Sequence, residues 1–182
     1  MKYLLTLWIS INLWSVELDH KYIQSNYKAL TNQQIQIINQ AYQLGQLLII
    51  DGESYGKTLA TFAFVESSAG RILTGDSTQS FGLSHIQLTR ARELLPKSAY
   101  YSGLNSLSDV ELANKLTFDN QLNLVLCGIN FKLNLMRWNS YSRAIRAHNG
   151  FAPSRGIHNQ QYYNQFINAM QIVKLVIKDN HE

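Results

Sequence analysis

The stretch GKTLATFAFVESSAGRILTGDSTQSFGLSHIQL, Gly56 to Leu88, decides how the chain is read. Its first half sets Leu59, Phe62, Ala63 and Val65 in a helix-compatible apolar run that ends in Glu66-Ser67-Ser68-Ala69-Gly70. Its second half is polar and glycine-spotted until Phe81-Gly82-Leu83-Ser84-His85-Ile86-Gln87. Glu66 is thus a carboxylate at the end of a buried helix, facing a loop. A carboxyl held against apolar walls is costly to ionise, so its pKa rises and it can donate a proton near neutral pH.

Outward from this stretch the pattern stays helical. On the N-terminal side, Thr31 serves as N-cap for a helix carrying Ile35, Ile38, Ala41, Tyr42 and Gly45, which the apolar run Leu47 to Ile50 continues. Asp51 to Gly56, with two glycines, reads as a loop. On the C-terminal side a helix runs through Ile86, Ala91, Leu94 and Leu95 and stops at Pro96. From Ser108 to Trp138 a single long helix is expected, started by a Ser108/Glu111 capping box and supplying Val110, Leu112, Leu116, Leu122, Leu126, Ile129, Leu133 and Met136 to the core. Asn139-Ser140 breaks it, Tyr141 to Ala147 forms a short helix ending at His148-Asn149-Gly150, residues 151–160 form a polar loop, and Tyr162 to Ile177 forms the last helix. No strand pair shows convincing alternation. The expected class is mainly α.

Composition bounds the rest. A chain of 182 residues, 46% apolar and 15% charged, builds one folded domain with a full core and excludes disordered or repeat classes. The net charge of +4 suits a polyanionic partner such as nucleic acid, an anionic lipid surface or the cell wall. The basic residues are scattered, and no basic cluster supports a nucleic-acid binder. Cys127, alone in the apolar run Leu122 to Ile129, makes no intrachain disulfide and reads as buried. Met1-Lys2, the apolar run Tyr3 to Trp14 and the small Ser15 have the layout of a secretory signal peptide, which is too short for a stable membrane span. Residues 1–15 are therefore read as an export signal and 16–182 as the domain, with a periplasmic location expected.

Four features then occur in one order: Glu66-Ser67 ending an apolar helix, Gly82-Leu83-Ser84-His85-Ile86-Gln87, Ala147-His148-Asn149-Gly150 ending a later helix, and Tyr162-Tyr163 beginning the last. This set resembles the lytic transglycosylases of the lysozyme-like superfamily, the soluble lytic transglycosylase catalytic domain. That family shows Glu-Ser, Gly-Leu-Met-Gln-Ile, Ala-Tyr-Asn-(Ala/Gly)-Gly and a tyrosine near the start of a C-terminal helix. The resemblance spans about residues 57 to 170. His85 departs from the usual glutamine, His148 from the usual tyrosine, and Phe151 from the last glycine of the third motif.

The resemblance implies a lysozyme-like single domain with a glycan-binding groove, and a single catalytic acid, Glu66. It implies that Ser67 helps hold carboxyl or substrate, that Gly82 and Leu83 bring backbone close to the glycan, and that Asn149 binds the acetamido region. Tyr162 is the phenol that reaches the acid, with Tyr163 the competing choice. His85, Gln87 and His148 complete the implied substrate-binding set. The implied activity is that of a glycosidic-bond lyase acting on peptidoglycan strands, with no cofactor and no metal, since none of the five histidines has ligand spacing. Two alternatives stay open. Asp76, as a second carboxylate, would make the chain a hydrolysing muramidase of goose-type character. A silent wall-binding subunit of a secretion or phage apparatus would use the groove only to grip glycan.

Overall fold

In the computed structural model, residues 18–50, 52–75, 79–150 and 156–181 are described. The expected signal segment, Asp51, Asp76, Phe151 and Pro153 lie outside the described residues, as do the side chains of His158 and His181. The described part is mainly helical, with eight α-helices and two short hairpins. None of its helices is long and apolar enough to cross a membrane.

The central element is α3, Gly56–Ser67. Every residue from Thr58 to Phe64 is buried, so this helix is enclosed on all sides instead of carrying one apolar stripe. Phe62 lies at its middle, 4.9 Å from the ring of Phe166, 6.0 Å from that of Phe131 and 4.2 Å from that of His148. Full burial of such a ring contributes on the order of 3 kcal/mol. The enclosing helices are α2 (Asn32–Gln46), α6 (Asn120–Trp138), α7 (Tyr141–His148) and α8 (Gly156–His181). At the α2–α3 crossing, a Cβ on Gly45 would stand 2.8 Å from the Cα of Gly56, so two glycines let the backbones meet. The two threonines on α3 are satisfied: Thr61 donates to the Lys57 carbonyl at 2.6 Å, and the Thr58 and Tyr141 hydroxyls share a 2.8 Å hydrogen bond between α3 and α7.

Two capping boxes start helices where the sequence places them. Thr31 with Gln34 opens α2, and Ser108 with Glu111 opens α5, Asp109–Phe118. Beyond them the chain departs from expectation in five places. Ile49–Ile50 do not extend α2; they form β1, paired antiparallel with β2, Glu53–Ser54. Ser80–Phe81 (β3) pairs with Ile86–Gln87 (β4), so Ile86 belongs to a hairpin and α4 runs only Leu88–Leu94 before a 3-10 turn, Leu95–Lys97. The long 108–138 helix is two, because Asp119 ends α5 and caps α6 by accepting from the Leu122 amide at 3.0 Å. Val110 and Met136 face outward, 72% and 67% exposed, while Leu112, Leu116, Leu122 and Leu126 keep the core. Finally, α8 begins at Gly156 and not at Tyr162, and the mixed segment near the start holds α1, His20–Lys28, capped by Asp19.

Candidate active site

Glu66 lies in the last turn of α3, and the way that helix ends sets its surroundings. Ser68, Ala69 and Gly70 are three consecutive residues of positive φ, of which only the glycine takes that conformation freely. They are held by the Ala69 amide on the Ala63 carbonyl (3.0 Å), the Gly70 amide on Ser67 Oγ (2.9 Å) and Gln34 Nε2 on the Ser68 carbonyl (2.8 Å). A third strained residue, His85 at φ 45°, ends the tight turn Gly82-Leu83-Ser84-His85 between β3 and β4. Backbone strain of this kind persists only where the surroundings over-determine it. Here it falls on both sides of one carboxyl.

Four side chains meet there. The Tyr162 hydroxyl donates to Glu66 Oε1, joining α8 to α3. His85 Nδ1 stands 3.7 Å from Oε2, and His148 Nε2, from α7, stands 3.9 Å from Oε1. The Glu66 side chain is only 15% exposed. Burial raises its pKa above the ordinary carboxyl range, opposed by the Tyr162 hydrogen bond and the His85 charge, which lower it. The same burial, with the Glu66 charge beside it, holds the Tyr162 phenol well above its ordinary range, so it remains a donor.

The two imidazoles are held differently. His85 Nε2 faces the Ile72 carbonyl at 3.1 Å; a carbonyl only accepts, so Nε2 carries hydrogen, and Nδ1 is the nitrogen turned toward Glu66. His148 is enclosed, its side chain 5% exposed, with Nε2 on the Ser84 carbonyl at 3.2 Å and Nδ1 on Asn130 Nδ2 at 3.4 Å. Burial, together with the His85 and Arg90 charges, pushes its pKa down to about 4. His148 is therefore neutral at pH 7.

The remaining expected site residues divide. Asn149 is exposed directly after His148 at the end of α7, and Gln87 is exposed at the start of α4. Of the two phenols, Tyr162 reaches the acid; Tyr163 packs beneath the Arg146 guanidinium, 5.0 Å from its ring. Ser67 corrects an expectation. It is fully buried, donates to the Ala63 carbonyl at 2.8 Å and accepts from Gly70, so it secures the turn and cannot reach substrate. Gly82 and Leu83 are packed inward. Leu83 is 1% exposed, and a Cβ on Gly82 would lie 2.0 Å from the Leu116 carbonyl oxygen and 2.2 Å from Asn123 Nδ2. The chain's own packing is sufficient to demand the glycine. Asp76 lies outside the described residues.

Four residues of the site carry no motif. Asn123, fully buried on α6, accepts from the Ser84 amide (2.8 Å) and hydroxyl (2.6 Å) and donates to the Phe81 carbonyl (2.7 Å), which clamps the turn bearing His85. One α6 face further on, Asn130 Oδ1 accepts from Arg90 Nε (2.9 Å) and Nη2 (2.8 Å). Cys127 lies between them, its thiol hydrogen-bonded with the Ser84 side chain and pushed up in pKa by burial. The signal for the asparagines is present in the sequence: polar residues seven apart inside an apolar helix, where burial demands partners. Among the described residues no group of His, Cys, Asp and Glu is arranged to hold a metal ion. No family model, curated protein or solved structure matches the chain.

Proposed function

We propose that this chain is a peptidoglycan lytic transglycosylase, a lysozyme-like domain whose groove takes a glycan strand across Glu66. The observation that carries the reading is the buried Glu66 carboxyl with the Tyr162 hydroxyl on Oε1. That contact leaves Oε2 as the oxygen to bear the proton. At 3.7 Å His85 Nδ1 is too far from Oε2 for a normal hydrogen bond, so a proton there stays available to substrate.

In this reading Glu66 gives its proton to the oxygen bridging N-acetylmuramic acid and N-acetylglucosamine. The C1–O bond breaks through an oxocarbenium-like state, stabilised by the substrate's own acetamido group, and the leaving sugar departs as an alcohol. Glu66, now a carboxylate steadied by Tyr162, takes the proton of the muramyl C6 hydroxyl as its oxygen bonds to C1. A 1,6-anhydro end forms, Glu66 is again protonated, and no water is consumed. In this reading Asn149, exposed beside His148, meets the acetamido group. On the same reading the substrate puts the protein in the bacterial envelope as an exported protein, alone or within a secretion or phage assembly.

Purified sacculi digested with the protein and analysed by mass spectrometry test this. Anhydro-muropeptides are the expected product. Reducing ends would replace it with the muramidase reading, and an absence of release by folded protein would leave a wall-binding role.

A further inference from the structure

We propose that Arg90 and Asn130 act as positioning residues that hold His148 as a neutral imidazole with its single proton on Nε2, keeping positive charge away from Glu66. The inference rests on the reading of Glu66 as proton donor, and its geometry runs in one direction. A guanidinium only donates, so the two Arg90 bonds of 2.9 and 2.8 Å force the acceptor oxygen of Asn130 toward Arg90. Rotating the amide would set NH2 against two N–H groups. Asn130 Nδ2 must then face His148, and at 3.4 Å it meets Nδ1, which has to be the unprotonated nitrogen. The ring's proton is left on Nε2, pointing at the Ser84 carbonyl 3.2 Å away, with Glu66 Oε1 at 3.9 Å.

The consequence for chemistry is electrostatic. A doubly protonated His148 would place a full charge within 4 Å of Glu66 and favour the carboxylate, which cannot act as the acid. The charged or titratable groups facing His148 are Glu66 from α3, His85 from the hairpin turn and Arg90 from α4; Tyr162 and Cys127 face Glu66 behind them. Arg90 contributes twice, as a cation opposing a second proton on His148 and as the group that orients Asn130. His148 is in turn a polar wall for the carboxyl. This division of labour accounts for two polar residues, Asn130 and Arg90, joined at the back of the site.

Nitrogen NMR of the full, uniformly 15N-labelled chain tests the relay, with the His148 signals assigned by their loss in His148→Gln. Between pH 6 and 7 the wild type should show one neutral ring with hydrogen on Nε2. A His148 carrying its proton on Nδ1, or two protons, would overturn the proposal without any further variant. Asn130→Asp supplies the complementary arm, since a carboxylate accepts from both Arg90 and a His148 Nδ1–H. It should convert His148 to the doubly protonated form at the same pH, lower anhydro-muropeptide release at least tenfold, and move the alkaline limb of the pH profile downward. A neutral His148 in that variant, with melting behaviour showing a folded chain, would also overturn it. If both spectra behave as expected but the wild type releases no anhydro-muropeptides, the relay stands and the transglycosylase reading falls.

Discussion

The Tyr162 hydroxyl donates to Oε1 of Glu66 across 96 residues of chain, tying the end of α3 to the first half of α8. The bond does two opposed things. It lowers the pKa of a carboxyl that burial has raised, and it fixes which oxygen carries the proton.

Tyr162→Phe should therefore keep the fold and reduce turnover by about 10- to 100-fold, as loss of an orienting hydrogen bond in an acid–base site does. The lowering contribution disappears with the hydroxyl, so the alkaline limb of the pH–rate profile should move upward. Tyr163→Phe should change neither, because its ring serves Arg146 and not the acid. Muropeptide release by the two variants over a pH series checks the ranking, and equal losses in both would remove Tyr162 from the site.

Gly82 makes a stability prediction of its own. With φ at 77° and a Leu116 carbonyl oxygen 2.0 Å from where a Cβ would stand, alanine meets both backbone strain and a neighbour that is itself backbone. The two effects together cost about 2–4 kcal/mol. Thermal unfolding of Gly82→Ala should fall by on the order of 5–15 °C. An unchanged melting temperature would mean that the hairpin turn does not lie against α5.

Local signals were the legible part of this fold. Thr31/Gln34 and Ser108/Glu111 announce helix starts because a capping box is complete within four residues. The β-hairpins were not legible, since two-residue strands are too short for alternation, and the β3–β4 turn depends on Asn123, far along the chain. The α5–α6 break was hidden by Leu112, Leu116, Leu122 and Leu126, which all reach the core across it. Motif order names both Glu66 and Tyr162. It does not reveal that Ser67 secures a turn and that Gly82 is enclosed by the chain's own packing, because residue type does not say which way a turn faces.

Cys127 gives a test of how closed the rear of the site is. Its side chain is fully buried, beside Ser84 and facing Glu66, and burial raises the thiol's pKa and suppresses the thiolate. A maleimide should leave it unmodified over hours in native buffer and label it fully within minutes in denaturant. Labelling in the native state at a rate near that of a free thiol would show that water reaches the carboxyl from α6.

Glu66 and His148 finally predict a pH signature for folding itself. Glu66 has a raised pKa in the folded state, so above its ordinary value of 4.5 the unfolded chain has released a proton that the native chain keeps, and stability falls as pH rises. His148 is lowered to about 4, so below its ordinary 6.5 the unfolded chain binds a proton that the native chain refuses, and stability falls as pH falls. Between roughly pH 5 and 6 the two slopes oppose each other, each at most about 1.4 kcal/mol per pH unit. The proton kept by the carboxyl and the proton refused by the imidazole offset each other there, so the pair's net slope is smaller than that of the steeper one alone. Glu66→Gln leaves only the histidine: the variant should be more stable than wild type at neutral pH, with that advantage shrinking toward pH 4 while release of muropeptides is abolished. His148→Gln leaves only the carboxyl and should tilt the curve the other way, losing stability as pH rises through the same window. Denaturant melts of the three proteins from pH 4 to 7 read both slopes. Slopes of the same sign in the two variants would mean that Glu66 is ionised in the folded chain at pH 5, and that it has no proton to give.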